Sequence, residues 1–443
     1  MIKALSLRNY RAFSELDVPL TKINLFFGPN NSGKSAIVSG LTLLAQTLAS
    51  ADERVPLLLN GKFEDLGTYS DAVHRNNLSA DIGLALVLPV EDLPAKDGKP
   101  QDAKIDVTFH YRPQRKQTVI QSVELRCPTD HVILRTRVAQ TTDSQVIEEV
   151  GPDYEGVVAG SRSSGDIQLD HFLPVLSPRK HRRLYTRRQR QGTSGYRHLA
   201  YDLYSASAAV QEALNTVEFI GPFRKPPQRV YVFSGEAPSS VGLHGDKVFD
   251  VLAADEARRR RKRLELLHSI SQWFQGAEMA RGIRVAAISD RHFEMRMSHF
   301  MTGEDENLAD VGYGCSQILP ILVAGFQRPK GSLLVLEQPE IHLHPKAQSE
   351  VGTFLLNVSN RDIQLIVETH SVHLLLRLQS HVAARDLAPS DINVFYVYGD
   401  PTTGEKRCEQ LPLGQDGYFT KEWPHGFFLE RLEEAERLAR FGG

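Results

Sequence analysis

The segment Gly28-Pro29-Asn30-Asn31-Ser32-Gly33-Lys34-Ser35 matches the pattern G-x-x-x-x-G-K-S/T at every fixed position. The apolar residues 23–27 before it are typical of a strand, and residues 35–49 after it have helical spacing. Glycines let the backbone curl so that successive N–H groups face a phosphate, and a helix N-terminus adds partial positive charge. The stretch therefore predicts a phosphate-binding loop between a buried strand and a helix.

A second apolar run, residues 333–336, ends in the acid Glu337. In nucleotide-binding proteins such an acid helps to hold Mg²⁺ beside the phosphate loop. We expect Lys34 to contact the β- and γ-phosphates of ATP, and Ser35 and Glu337 to hold Mg²⁺. Most of the chain separates the two motifs, which is typical of an ATPase divided by a large insertion.

The chain has 443 residues, of which 41% are hydrophobic and 24% charged, with 52 lysines and arginines against 54 acids. This composition excludes a disordered chain and a collagen-like repeat. Cys127, Cys315 and Cys408 are the three cysteines, and none has the CxxC spacing of a zinc or redox site. We therefore expect free thiols.

The sequence gives no indication of secretion or of a membrane span. Residues 1–8 alternate like a strand and lack the apolar core of a signal peptide. The nearest apolar window, residues 318–326, is shorter than the roughly 18 residues that a span needs. We expect a cytoplasmic protein without a membrane partner.

Positive charge is concentrated in the middle of the chain. Residues 171–230 hold eleven lysines and arginines against three acids, and a second basic block follows. Candidate contacts with the phosphate backbone of DNA or RNA are Arg179, Lys180, Arg182, Arg183, Arg187, Arg188, Arg190, Arg258, Arg259, Arg260, Arg261, Lys262 and Arg263. The alternatives are a solvated helix face and a surface for an acidic protein partner.

Apolar runs and charge together predict an α/β fold, with a mixed sheet flanked by helices. Residues 1–140 are expected to form the first half of an ATPase head, with antiparallel strands over 103–137. Residues 141–300 are expected to be a basic, mainly helical insertion, with a loop or linker over 141–165. Residues 301–443 are expected to form the second half of the head.

Three further motifs carry a resemblance to a known family. They are Leu7-Arg8-Asn9-Tyr10-Arg11-Ala12-Phe13, Glu337-Gln338-Pro339-Glu340-Ile341-His342-Leu343-His344-Pro345 and Val367-Glu368-Thr369-His370-Ser371. With the phosphate loop, they make the chain similar to the bacterial ABC-type P-loop ATPases of the RecF, SMC and overcoming-lysogenisation-defect (OLD) group. The resemblance implies ATP and Mg²⁺ as cofactors.

The resemblance also implies roles for individual residues. Glu337 would be the Walker B acid, and His370 the switch histidine at the γ-phosphate. Gly314, Ser316 and Gln317 lie where the family has its signature motif, which closes the nucleotide site of a second subunit. The ATP-binding set would be Arg11, Gly28, Asn30, Asn31, Ser32, Gly33, Lys34 and Ser35. One loop and one signature per chain imply a homodimer with two ATP molecules between its heads.

Gln338 departs from the family pattern, which has a second acid at this position. Glutamine can orient a water molecule but cannot accept its proton. Either Glu340 acts as the base, or hydrolysis is slow and ATP acts as a long-lived clamp. His342 and His344 flank the same loop, as metal ligands or as residues that shape it.

The expected function is a dimeric ATP-driven switch. Too few residues follow His370 for the Toprim nuclease of OLD proteins, so an effector such as a nuclease would be a separate polypeptide. This favours the ATPase subunit of a two-protein anti-phage defence system, as in the Septu or PARIS types. The alternative is a clamp similar to RecF in DNA repair, which binds ATP and DNA with little turnover.

Overall fold

The computed structural model describes residues 1–90, 93, 101–127, 132–138, 145–151, 154, 167–176, 194–257, 265–424 and 440. The two basic blocks, residues 179–190 and 258–263, lie outside the described residues, and their contact with nucleic acid stays a prediction. The chain divides into two compact units. Unit 1 is Met1–Leu20 with Ser35–Val217, and unit 2 is Thr21–Lys34 with Glu218–Gly443. These boundaries differ from the expected ones at 140 and 300.

Unit 1 is built on a seven-stranded antiparallel sheet in the order β2-β1-β4-β5-β6-β7-β8. Its strands are β1 (Ala4–Tyr10), β2 (Phe13–Pro19), β4 (Ile82–Val90), β5 (Gln101–Arg112), β6 (Gln117–Arg126), β7 (Val132–Val138) and β8 (Gln145–Val150). A separate hairpin pairs β9 (Ile167–Asp170) with β10 (Leu173–Leu176). Its helices are α1 (Lys34–Leu48), which starts on the last residue of the unit 2 segment, α2 (Tyr69–Ala72) and α3 (Ser194–Asn215).

Strand β8 corrects the expectation of a loop or linker over residues 141–165. Its residues pair with β7 in an antiparallel register, for example Val138 with Gln145. Only Ile147 on this strand is buried, and β8 is the last strand of the sheet among the described residues. The polar composition of an edge strand therefore resembles that of a loop.

Unit 2 contains a six-stranded sheet in the order β11-β16-β17-β3-β18-β19. Its strands are β3 (Ile23–Phe27), β11 (Val217–Ile220), β16 (Leu333–Glu337), β17 (Gln364–Glu368), β18 (Ile392–Gly399) and β19 (Lys406–Gln410). β16, β17, β3 and β18 run parallel, and β19 is antiparallel to β18. The central strands are continuous apolar runs because both of their faces are covered.

A second, antiparallel sheet and five helices complete unit 2. The sheet joins β12 (Tyr231–Val232), β13 (Ala280–Ala287) and β15 (Asp305–Asn307) to β14 (His292–His299). The helices are α4 (Val248–Ala257), α5 (Glu265–Gly276), α6 (Tyr313–Gln327), α7 (Pro345–Ser359) and α8 (Val372–Ala383). α6 packs against β16, and α7 packs against β17 and β3. At the end of β3, Trp423 packs edge-on against Phe27.

The predicted α/β fold class, a mixed sheet flanked by helices, is confirmed. Within residues 141–300, the described part contains three helices and seven strands, and the expectation of a mainly helical insertion stays a prediction. The strands were hard to recognise because several are short, and because β11 completes a sheet whose other strands lie far away in sequence. Within the described part of the chain, no helix combines the length and apolar character needed to cross a bilayer.

Two leucines on helix α8 test the packing of unit 2. Leu378 is fully buried and Leu376 is 53% exposed, although they lie on the same helix. We expect Leu378→Ala to lower the free energy of unfolding by about 2–5 kcal/mol, since it leaves a cavity. Leu376→Ala is the matched control and should change it by less than about 0.5 kcal/mol. Urea titration followed by circular dichroism measures both, and equal losses would contradict the packing described.

Candidate functional site

The phosphate loop leaves the buried strand β3 through a glycine that tolerates no side chain. Gly28 has φ of +148°, and a Cβ atom there would lie 2.0 Å from the main-chain oxygen of Val397 on β18. Gly33 has φ of +110° and Asn31 has φ of +62°, so the loop curls as its sequence predicts. Asn30 and Asn31 are exposed at its tip, while Ser32 is buried.

Lys34 lies at the base of this loop, with its side chain almost entirely buried. Its ammonium group donates hydrogen bonds to the main-chain oxygens of Gly28 and Pro29, both at 3.0 Å. It also lies 3.8 Å from a carboxylate oxygen of Glu368. Burial lowers the pKa of Lys34, and the nearby Glu368 carboxylate opposes that shift. The lysine is therefore held where an incoming anion would replace carbonyl oxygens as its partner.

The parallel register brings the ends of three strands together at this loop. Glu337 on β16 pairs with Glu368 on β17, and Glu368 pairs with Phe26 on β3. Paired residues on adjacent parallel strands lie about 4.8 Å apart and face the same side of the sheet. The predicted Walker B acid and Glu368 therefore form a two-carboxylate edge. Glu368 has no predicted role, although it ends an apolar run in the sequence.

Gln338, directly after Glu337, adopts an unusual backbone conformation. Its φ is +44°, in the left-handed region that residues with a Cβ rarely adopt. Its N–H donates to the main-chain oxygen of Glu368 at 2.7 Å. The turn after β16 is thus fastened to the end of β17.

Glu340 connects this turn to the loop that contains His370. One carboxylate oxygen accepts a hydrogen bond from the main-chain N–H of His370 at 2.6 Å. The other, Oε2, is buried and has no hydrogen-bond partner among the described residues. Burial raises the pKa of Glu340, and the hydrogen bond from His370 partly counteracts the shift. Glu340 therefore combines a structural contact with an oxygen able to hold a proton.

His370 follows Glu368 by two residues and lies near the same lysine. Its Nε2 atom is buried without a partner among the described residues. Burial lowers the pKa of His370, and the Lys34 charge lowers it further, so the ring is neutral at neutral pH. A neutral imidazole can donate a hydrogen bond to a phosphate oxygen through one nitrogen.

Arg224 is a site residue that lies, in sequence, within the basic segment 171–230. Its side chain is buried, and the residue is 4% exposed. Its guanidinium donates to the main-chain oxygens of Glu337 at 2.8 Å and of Gln338 at 3.2 Å. This arginine belongs to the site and is not available to an external nucleic acid.

The predicted signature residues are mostly buried within their own chain. Ser316 donates its hydroxyl to the main-chain oxygen of Tyr313 at 2.9 Å, and Gln317 is 2% exposed. A Cβ atom on Gly314 would lie 2.5 Å from the main-chain oxygen of His342, so the start of α6 packs closely on the loop after Glu340. The exposed residues of this turn are Gly312 and Tyr313.

His342 and His344, in the loop that follows Glu340, both have structural contacts. His344 caps helix α7, because its Nδ1 accepts a hydrogen bond from the N–H of Ala347 at 3.3 Å. His342 packs its ring edge-on against Tyr313. Among the described residues, no group of three or more His, Cys, Asp or Glu side chains is arranged to hold a metal ion. These contacts favour the loop-shaping role.

Arg11 and Ser35 belong to unit 1. The Arg11 guanidinium donates to the hydroxyl of Ser39 on α1 at 3.2 Å, and Ser35 is exposed directly after Lys34. Their predicted contacts with ATP stay predictions.

The residues of unit 2 fit a nucleoside triphosphate with Mg²⁺. Ser32 Oγ and His370 Nε2 are buried polar atoms without partners among the described residues, and both belong to the predicted set. The glycines leave space for backbone N–H groups to approach an anion, and carboxylate oxygens are the ligands that Mg²⁺ prefers. The donor set therefore suits a phosphate and the acceptor set suits the metal.

Two protein families match parts of the chain. Residues 1–129, which include the phosphate loop, match the family described as "AAA ATPase domain". Residues 174–376, which include the signature region, Glu337 and His370, match the family described as "AAA domain, putative AbiEii toxin, Type IV TA system". Together the two matches support an ABC-type P-loop ATPase. None of the curated proteins matches the chain.

The solved structures that match the chain include heads of SMC proteins. An SMC head bound to the C-winged helix domain of ScpA has a TM-score of 0.46 at 12% identity, covering 94% of this chain and 98% of that one. An SMC head with an extended coiled coil, bound to the C-terminal domain of ScpA from Pyrococcus furiosus, has a TM-score of 0.44 at 12% identity, covering 99% of both chains. The SMC head domain from Thermotoga maritima has a TM-score of 0.39 at 12% identity, covering 93% of this chain and 99% of that one. Likeness at this level says nothing about the partners of this chain.

Two glycines at the start of α6 test whether this helix packs closely on the loop that contains His342. We expect Gly314→Ala to destabilise unit 2 by about 1–3 kcal/mol, because its methyl group would overlap the main-chain oxygen of His342. Gly312→Ala is the control, since its Cβ would meet no atom within 4 Å. Thermal melting compares the two variants. If Gly314→Ala melts no lower than Gly312→Ala, the contact is not formed in solution.

Proposed function

We propose that this chain is an ATP-binding and ATP-hydrolysing switch that acts as a homodimer. One observation carries the proposal: the register of β16, β17 and β3 gathers Glu337, Glu368 and Lys34 at one edge of a parallel sheet, with His370 beside them. A buried lysine in a glycine loop next to paired carboxylates suits a phosphate–metal complex and little else. The two AAA family matches support the same class of reaction.

Each group has a distinct task in this proposal. The N–H groups of residues 28–34 and the Lys34 ammonium bind the phosphates, and Arg11 keeps its predicted contact with the nucleotide. Ser35 and Glu337 are the proposed holders of Mg²⁺. Bound there, Mg²⁺ supplies neutralising charge to the phosphate oxygens. His370, held neutral, donates a hydrogen bond from Nε2 toward the γ-phosphate.

Glu340 is the proposed proton acceptor. Gln338 orients the attacking water through its side-chain amide, and the water proton passes to Oε2 of Glu340. The raised pKa of this carboxyl group makes its anion a better base than an exposed glutamate. Because Oε1 is engaged by the His370 N–H, proton transfer is confined to Oε2.

A second copy of the chain completes the site in this proposal. The turn at Gly312 and Tyr313 is exposed and begins helix α6, and the first N–H groups of a helix have no partner within that helix. In this proposal they meet the phosphates bound by a partner. The buried residues Gly314, Ser316 and Gln317 act from within the chain by fixing the direction of this turn.

For the biological role, we propose the ATPase sensor or regulator subunit of a bacterial anti-phage defence system with a separate effector such as a nuclease. The description of the matched family, which names the AbiEii toxin of a type IV toxin–antitoxin system, supports a role of this kind. The basic blocks at residues 179–190 and 258–263 are the proposed sensors of DNA or RNA, by their charge alone.

One observation favours a second candidate, a RecF-like clamp in DNA repair that binds ATP and DNA with little turnover. Gln338 stands where a second acid would activate water, and Glu340, the substitute base, is 8% exposed and already bound to the main chain. Both features slow hydrolysis and prolong the ATP-bound state.

Lys34→Ala tests the switch. We expect steady-state ATP turnover to fall by about 10²–10³-fold, since a preorganised donor to the phosphates is lost. The ATP-dependent dimer, measured by mass photometry, should disappear as well. In a bacterial host that carries the gene with its genomic neighbours, protection against phage should be lost.

Lys22→Ala is the matched control, because Lys22 precedes the same strand β3 and pairs with Asp391 away from the loop. It should leave turnover and dimerisation unchanged. Tight ATP binding without turnover in the unsubstituted protein, with or without DNA, would overturn the switch and favour the clamp. Turnover that persists in Lys34→Ala would exclude this loop as the ATP site.

Glu340→Gln distinguishes the proposed role of Glu340 as a base from its structural contact with the N–H of His370. Glutamine keeps an oxygen that accepts from the His370 N–H but cannot take up a proton. We expect turnover to fall by about 10²-fold with ATP affinity unchanged within about 3-fold, as for loss of a general base. Single-turnover hydrolysis and equilibrium ATP binding measure the two quantities.

Glu350→Gln is the control for the same chemical change, on helix α7, where Glu350 pairs with Arg377. If Glu340→Gln turns over ATP at the rate of this control, Glu340 is not the base.

A further inference from the structure

We infer that Arg224 is a positioning residue that locks the turn after β16 to helix α6 and thereby fixes Glu337 and Gln338 for hydrolysis. This inference rests on the proposed function for its catalytic consequence. Its structural part concerns contacts within unit 2 alone.

The contacts of Arg224 join two segments that lie far apart in sequence. One guanidinium nitrogen, Nη2, donates to the main-chain oxygens of Glu337 and Gln338, and the other, Nη1, donates to that of Gln317 on α6 at 3.4 Å. Gln317 returns a contact, since its side-chain amide donates to the main-chain oxygen of Arg224 at 3.5 Å. Arg224 therefore links α6 to the turn through these hydrogen bonds, which together form the Arg224 bracket.

The bracket holds a conformation that the turn would not adopt readily by itself. A glutamine with φ of +44° costs of order 1 kcal/mol relative to an ordinary backbone conformation, so Gln338 needs external contacts to stay there. Its N–H is fastened to Glu368, and its oxygen is fastened to Arg224. Removing either contact frees one of the two peptide groups that flank the Gln338 Cα atom.

Burial of a charged guanidinium is energetically unfavourable, so a buried arginine indicates a specific role. Desolvation lowers the pKa of Arg224 to about 10, and the carboxylates of Glu340 and Glu337 oppose the shift through space. The guanidinium is still charged at neutral pH. Among the described residues, its guanidinium donates only to main-chain oxygens, and its Nε atom is buried without a partner.

Geometry explains why lysine would not replace it. A guanidinium presents planar N–H groups that reach three oxygens in two directions, whereas an ammonium is a single point donor. A lysine here would keep the charge but would lose the bracket to Gln317 or to the turn.

Hydrogen exchange of the nucleotide-free protein tests the bracket directly. In Arg224→Met we expect the amides of Gln338 and Ile341 to exchange about tenfold faster, because local opening of the turn becomes easier. Lys225→Met is the matched control, since Lys225 is the next residue, is exposed, and pairs with Asp246. It should leave the exchange of the turn unchanged.

Kinetics test the consequence for catalysis. Arg224→Met should lower kcat by about tenfold or more with KM changed by less than about threefold, as for a group that acts through placement of the reacting residues. Arg224→Lys should recover part of kcat and part of the protection. This variant also serves if the methionine variant does not fold.

Two results would overturn the inference. One is unchanged exchange at Gln338 and Ile341 in a folded Arg224 variant. The other is faster exchange spread equally over all of unit 2, which would mean a general loss of stability. If the unsubstituted protein hydrolyses no ATP, the proposed function fails, while hydrogen exchange still decides whether Arg224 holds the turn.

Discussion

The parallel register of three adjacent strands is the constraint on which the site depends. A shift of one residue between β16 and β17 would turn Glu337 and Glu368 to opposite faces of the sheet, because side chains alternate along a strand. The same shift between β17 and β3 would move Glu368 away from Lys34. The strands are apolar and buried on both faces, and helices α6 and α7 pack against them. The chemistry of the site is thus set by the packing of residues that take no part in it.

Buried charge is balanced in a similar way. Lys34 and Arg224 are both largely withdrawn from water, and the carboxylates of Glu337, Glu340 and Glu368 surround them. Such an arrangement has little net value for stability, since the desolvation of each group offsets most of the attraction. It does keep opposite charges close to one another at defined positions. The charged groups of such a site can exchange their partners within the protein for those of a bound ligand.

The sequence predicted those parts of the site that depend on local pattern. The phosphate loop, the strand that ends in Glu337 and the neighbouring strand 364–368 all follow from short runs of residue types. Glu368 and Arg224 could not be assigned in the same way, because their roles arise from strand order and from a contact across the fold. Arg224 was counted with the basic middle, since charge alone does not reveal burial. The inward orientation of Ser316 and Gln317 depends on the approach of α6 to the His342 loop, which no local pattern encodes.

The division of the chain into interleaved units has a consequence for its synthesis. Strands β1 to β8 are complete by residue 150, so the sheet of unit 1 has all its partners early during translation. The central strand β3 of unit 2 waits for β17 and β18, which end at residues 368 and 399. Until then an apolar strand next to the phosphate loop has no native neighbour, and contacts of such long range form slowly. The nascent chain therefore carries these few apolar residues without their native neighbours over most of its synthesis, long before it is able to bind a nucleotide.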